Sequence, residues 1–285
     1  MGQPVSNYSV YGLTVSSDVE LPELRVDRSE ATADIDIRRS TLDPIPGSDT
    51  EPDVQRIEAG PDRCRITYES IGTFLIESGE RISYDPDTSG RENTKIFRRL
   101  LENQAMTVLL LQRALLVLHA SAVSINNKAI VFLGSQTAGK STMTAAFHQK
   151  GYSMLADDVV AIRFEDGTPM VVPSVPQIRL HVDTVEELEI ENTIEYSNDW
   201  GPEKVYQPIE KQSPTVPLGG IYILKENDAI SLDSPDVSTA FFELVTNTYA
   251  QGLLSDTEAT TTHFEQCTIL LNEIPIRQLK RPKNY

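Results

Sequence analysis

Residues 134–141 read Gly-Ser-Gln-Thr-Ala-Gly-Lys-Ser, a full match to the phosphate-binding pattern G-x-x-x-x-G-K-[ST]. The pattern constrains the fold as much as the chemistry, because it works only between a buried strand and the first turn of a helix. The apolar run Ala129-Ile130-Val131-Phe132-Leu133 precedes it, and a helix is expected from Ser141 to Lys150, stopped at Gly151. In that setting the glycines let backbone N–H groups turn inward around phosphate oxygens, and the helix N-terminus adds a favourable field. Gly134, Ser135, Gln136, Thr137, Ala138, Gly139, Lys140, Ser141 and Thr142 are the expected nucleotide-binding residues. Lys140 is suited to the β/γ-phosphate oxygens and Ser141 to a Mg²⁺ ion.

The segments around the loop predict a mixed sheet. Ser121–Ile125 and Ala129–Leu133 form a hairpin over Asn126-Asn127-Lys128, since asparagine tolerates the left-handed conformation of tight turns. Residues 152–156 and 159–164 read as strands on either side of Asp157-Asp158, and 169–172, 177–181, 219–224 and 276–280 as further strands. Residues 95–118 read as one long helix, 238–254 and 257–271 as two more, and the acidic stretch 186–217 as an irregular loop or lid. Residues 1–92 are β-rich, with short alternating segments between turn clusters, which suggests a division into 1–92 and 93–285. Strands and helices mix without strict βαβ alternation.

Asp157 and Asp158 follow a short apolar strand one helix after the loop, where a carboxylate either partners Mg²⁺ or faces the γ-phosphate. If the strand continued through them they would point to opposite faces and differ in role. The alternative is a solvated Asp-Asp turn. His119 stands between the long helix and the hairpin, as either a core histidine or a site residue.

Charge narrows the partners. With 25 Lys+Arg against 42 Asp+Glu, the net charge of −17 opposes binding to nucleic acid or anionic membranes. Anionic nucleotide would need local positive charge, for which Lys140, Arg179 and Lys204 are candidates. Cys64 and Cys267 are far apart, outside any metal spacing, and expected to be unbridged, as in a cytoplasmic protein. The N-terminus has no basic and apolar signal regions, and Gly2 with Ser6 fits a myristoylation pattern only formally. The most apolar stretch, 105–118, is too short to span a bilayer.

From His119 to Ile162 the chain resembles the catalytic domain of HPr kinase/phosphorylase, a P-loop serine kinase fold related to phosphoenolpyruvate carboxykinase. The likeness lies in order and spacing: His119, a hairpin strand, the loop with Lys140-Ser141, a helix ending at Lys150-Gly151, then Leu155-Ala156-Asp157-Asp158-Val159. The resemblance implies an α/β, mixed-sheet P-loop kinase domain behind a β-rich N-terminal region. It implies ATP and Mg²⁺, with Lys140 on the phosphates and Ser141 on the metal. Asp158 would then accept the proton of a serine hydroxyl, with His119 supporting it. Ser141 and Asp157 are the candidate metal ligands. After the Asp pair the family carries an acid-x-Arg-Gly pattern; here Gln177-Ile178-Arg179-Leu180 keeps the arginine, a candidate catalytic residue, and lacks the acid. Asp183 is a candidate replacement. The arginine motif tied to phosphorolysis is not recognisable.

Over the whole chain the pattern is similar to a divergent HPr kinase-like branch, through Tyr11-Gly12-Leu13, Leu21-Pro22-Glu23-Leu24, Glu203-Lys204-Val205-Tyr206 and Val216-Pro217-Leu218-Gly219. Some members resemble kinases of ribosomally made precursor peptides, including lasso-peptide systems. A serine kinase acting on a peptide or protein, possessed of homo-oligomeric assembly as in the family, is the first expectation. A nucleotide-binding regulatory module and a small-molecule phosphotransferase stay open beside it.

Overall fold

Short alternating segments joined by tight turns build the first part of the chain. The structure, a computed structural model, describes residues 4–29, 31–46, 55–60, 62–195, 204–210, 212–249 and 257–282. Gly2, Glu203, residues 196–203 of the acidic stretch and 250–254 of the expected helix lie outside the described residues. Eight strands pair first: β1 (Ser6–Val10), β2 (Leu13–Ser17), β3 (Arg25–Val26), β4 (Ile35–Arg39), β5 (Gln55–Ala59), β6 (Arg63–Tyr68), β7 (Gly72–Glu77) and β8 (Arg81–Pro86). Their order is β3-β1-β2-β4-β8-β7-β6-β5, parallel at β2/β4 and β4/β8 and antiparallel elsewhere. The inward-facing residues, among them Val15, Ile37, Phe74, Ile76 and Ile82, are fully buried.

Helix α1 (Lys95–Arg99) starts at Thr94, whose hydroxyl accepts from the Phe97 amide. It runs through a π-helical turn, Leu100–Ala105, into α2 (Met106–Gln112). Phe97 packs on Phe74 and Tyr84 with ring centroids 4.9 and 5.6 Å apart, so this helix joins the first sheet. The contacts accordingly divide the chain into Met1–Leu115 with Ala250–Thr260, and Leu116–Tyr249 with Thr261–Tyr285. Composition alone placed the change at 92/93, before the helix. The helix also ends earlier than expected. Ala114 turns left-handed (φ 58°), and Leu116–His119 is a strand, β9, paired antiparallel with 159–162.

The second unit carries β10 (Ser121–Ile125), β11 (Lys128–Leu133), α3 (Lys140–Gln149), β12 (Ser153–Ala156), β13 (Val159–Glu165), β14 (Thr168–Val172), β15 (Gln177–His181) and α4 (Val182–Glu187). Then follow β16 (Ile194–Glu195), β17 (Lys204–Pro208), β18 (Val216–Glu226), β19 (Ser231–Asp233), α5 (Val237–Thr246), α6 (Thr257–Glu273) and β20 (Ile276–Arg281). The expected hairpin is present, with Asn126 and Asn127 both left-handed. The main sheet runs β12-β10-β11-β18-β14-β13-β9, with β20 beside β18 and β19 beside β20. It is mixed: β11/β18 and β18/β20 are parallel, the other pairs antiparallel.

Alternation along β11 and β18 sends side chains to two cores. Val131, Leu133, Ile221 and Ile223 pack with Leu244 of α5 and Cys267 and Leu270 of α6. Phe132 and Leu224, from the opposite face, pack with Met143 and Phe147 of α3. Ala145 of α3 instead packs with Ile178, Leu180 and Val205 of β15 and β17. Helix α3 is thus apolar on two sides, held between the main sheet and the small sheet β15-β17-β16. Part of the acidic stretch is therefore ordered: α4, β16 and β17 lie within or beside it, and β17 pairs with β15. Both cysteines are free and buried, with burial pushing the Cys64 thiol up to about 11 and Cys267 to about 12. Among the described residues no helix is long and apolar enough to cross a membrane.

Candidate functional site

The loop after β11 leaves the sheet at a point only glycine fits. Gly134 has φ +153°, and a Cβ there would stand 2.9 Å from Ala138 Cβ and 3.1 Å from the Leu224 carbonyl oxygen. Thr137 (φ 68°) and Gly139 (φ 89°) bend the following peptides, and Lys140 opens α3. Lys140 is 8% exposed; its Nζ donates to the carbonyls of Gly134 (2.8 Å) and Ser135 (3.1 Å). Burial holds its pKa below the usual lysine range, against the pull of Asp158 and Asp157. Ser121 Oγ donates to the Lys140 carbonyl (2.9 Å) and ties the helix start to β10. Gly134→Ala is expected to distort the loop, lowering the melting temperature by several degrees through a clash of roughly 1–3 kcal/mol and abolishing any nucleotide affinity. Thermal unfolding and nucleotide titration of the variant check both parts.

The two aspartates do not lie in one continuous strand. β12 ends at Ala156, Asp158 is left-handed (φ 71°), and β13 starts at Val159. The chain turns here, so the opposite-face argument does not apply, yet the two carboxylates still have different surroundings. Asp157 Oδ2 accepts the Arg179 amide (2.9 Å), while its Oδ1 is buried with no hydrogen-bond partner. Burial raises its pKa to about 6, with the Arg179 amide and the nearby Ser141 hydroxyl acting the other way. Asp158 Oδ1 lies 3.2 Å from His119 Nε2. Burial opposes its charge, but His119, Arg179 and Lys204 together hold its pKa below the usual aspartate value. Adjacent carboxylates pushed apart in this way are a mark of divided roles.

The sign of the Asp157 shift makes a prediction. Its unfolded pKa of 3.8 lies below the folded value near 6, so the folded state takes up the proton first. The stabilising protonation is fully present below the unfolded value and lost as pH rises through about 6. Asp157→Asn, neutral at all pH and still able to accept the Arg179 amide, should raise metal-free stability by about 3 kcal/mol near neutrality. The gain should fade as pH falls toward the unfolded value, read by urea unfolding across pH.

A cavity of ≈ 460 Å³ collects these groups, and every residue lining it belongs to the second unit. The volume suits a ligand of nucleotide size. Its lining includes His119, Gln136–Thr142, Asp158 and Arg179. Gly134, Ser135 and Asp157 support this lining from behind, through the Lys140 and Arg179 contacts. Five cations (Lys140, Arg179, Lys204, Lys225, Arg281) face four acids (Asp158, Asp183, Glu187, Glu226), the reverse of the chain-wide balance of 25 to 42. Arg179 Nε is buried without a hydrogen-bond partner. Lys204, opposite His181 in the β15/β17 register, reaches the cavity, as does Asp183 in the first turn of α4; Gln177 does not line it. Sequence reasoning missed His181, Lys225, Glu226 and Arg281. The available signal was their position at strand ends.

A metal can be tested against the donors present. Among the described residues no group of three His, Cys, Asp or Glu could hold an ion by itself. Ser141 beside the orphaned Asp157 Oδ1 offers hard oxygen donors and a deficit that a divalent cation would fill, and so fits Mg²⁺ completed by phosphate oxygens.

No protein-family model matches the chain, and no curated protein matches it. Among solved structures it is similar to the Hpr(Ser) kinase/phosphatase from Coxiella burnetii, at 12% identity and a TM-score of 0.29. That match covers 58% of this chain and 85% of the other.

Proposed function

We propose that the second unit is a P-loop domain and the chain an ATP-dependent, Mg²⁺-assisted serine kinase of HPr kinase-like type, acting on a peptide or protein hydroxyl. The observation that supports this most is one cavity holding both Lys140 of the loop and Asp158, a carboxylate held ionised at neutral pH and hydrogen-bonded to His119. A serine hydroxyl is a weak nucleophile, so a positioned base and neutralised phosphate charge are what transfer requires. Asp158 takes the hydroxyl proton as the serine oxygen bonds to the γ-phosphorus and the bond to the ADP oxygen breaks. The proton then leaves to solvent. His119 orients Asp158 and spreads its charge. Lys140 exchanges its two loop carbonyls for phosphate oxygens, and Arg179 brings a buried donor that lacks a partner. Mg²⁺, held by Ser141 and Asp157, would neutralise phosphate charge.

Gln177, standing where the resembled family has an acid, favours a second reading: a module that binds nucleotide without transferring phosphate. The two readings separate on γ-labelled ATP incubated with Mg²⁺, serine-containing peptides and host lysate, with products mapped by mass spectrometry. Label on a serine is the expected result. Bound ATP with no transferred label would overturn the kinase in favour of the module, and label on a small molecule would move the acceptor to that class.

A further inference from the structure

Three strand ends meet at the glycine-rich loop. β11, β18 and β20 run parallel, so β11 ends in the loop, β18 at Lys225-Glu226 and β20 at Arg281, with Glu226 opposite Arg281 in register. Ligand crevices of open α/β sheets form at such carboxyl ends. Arg281 lines the cavity; its Nη2 donates to the Ala138 carbonyl of the loop (3.2 Å) and its Nη1 to the Pro282 carbonyl (3.0 Å). Lys225 lines it too, but its Nζ lies 2.6 Å from the Glu243 carboxylate, which compensates its charge. The groups that act most on Asp158 come from other elements: the His119 imidazole of β9, through its hydrogen bond, and the cations Arg179 of β15 and Lys204 of β17. The cavity therefore has two cationic flanks, one around the reacting carboxylate and one at the ends of the parallel strands.

We infer that Arg281 is the nucleotide-side cation of this cavity, fixing the loop through Ala138 and contacting the α-phosphate of the departing nucleoside diphosphate. The assignment rests on the proposed nucleotide site. A guanidinium presents five N–H donors in a planar fork, so it can bridge a backbone carbonyl and a phosphate at once. The α-phosphate carries the same charge before and after transfer, whereas the β-phosphate gains one as its bridging oxygen leaves. A contact to the α-phosphate therefore acts as uniform binding, which lowers KM without raising kcat. This separates Arg281 from Asp158, whose loss should act on kcat.

The test is calorimetric titration of Mg²⁺-ADP into the wild-type chain, Arg281→Ala, Arg281→Lys and Arg277→Ala, with KM and kcat for ATP on the same proteins. Arg277 is exposed on the same strand and does not line the cavity, so it controls for a simple change of net charge. Arg281→Ala is expected to weaken ADP about 10- to 100-fold and to raise KM for ATP by the same factor, with kcat within about threefold. Arg281→Lys, which keeps the charge and loses the fork, should fall between, and Arg277→Ala should match wild type. ADP affinity unchanged in both Arg281 variants, or a loss confined to kcat, overturns the assignment alone. A wild-type chain that binds neither nucleotide removes the nucleotide site, and the assignment with it.

Discussion

Lys140→Ala is expected to weaken Mg²⁺-ATP binding by at least about 100-fold and to bring phosphotransfer to background, while the folded state survives. The loss corresponds to roughly 3 kcal/mol, reasonable for a charge-assisted contact made inside a partly desolvated cavity. Folding should tolerate the change because the ammonium is held under strain of burial: its pKa is pushed down, and its hydrogen bonds go to two loop carbonyls that water can serve. The start of α3 remains anchored by Ser121 Oγ on the backbone carbonyl of residue 140, which alanine retains. Nucleotide titration and thermal unfolding on the same preparation give the two readouts. A variant that binds ATP like wild type would remove the loop from the account.

Asp158→Asn is expected to lower phosphotransfer by about 10²- to 10⁴-fold, the range of a lost general base, with ATP affinity within about threefold of wild type. The variant should fold. Residue 158 is left-handed, and asparagine is the side chain other than glycine most at ease there. Its amide can still pair with His119, so geometry is kept and proton acceptance is lost. The opposite pattern belongs to Asp157→Asn, which should bind nucleotide with less help from Mg²⁺. Comparable transfer by wild type and Asp158→Asn would assign the base elsewhere.

Much of this site was legible because it is local. The hairpin, the loop and the helix after it lie within 30 residues, and each carries its own signal: asparagines at the turn, glycines at the loop, Gly151 at the helix stop. What was illegible depends on long-range pairing. Leu116–Leu118 reads as helix because an apolar run has no period of its own, and the helix before it ends at left-handed Ala114 without glycine or proline. Its strand state comes from the ladder to Val159–Ile162, forty residues away in sequence. Likewise β17 is a short segment in acidic surroundings, ordered by β15, and β5 has one large apolar residue, Ile57, in five. Arg281 and Lys225 enter the cavity only because β18 and β20 pair in parallel. The two aspartates stand in different surroundings because of the turn at Asp158 and the burial of Asp157 Oδ1, not because of the strand alternation the sequence suggested.

Titration of ATP into the wild-type chain with and without Mg²⁺ tests the central claim most directly. One site per chain is expected, strengthened at least about tenfold by Mg²⁺ and abolished in Lys140→Ala, because the loop amides, Lys140 and the Ser141–Asp157 pair act on one triphosphate. A wild-type chain with no measurable ATP affinity, or with affinity indifferent to both Mg²⁺ and Lys140, would contradict it.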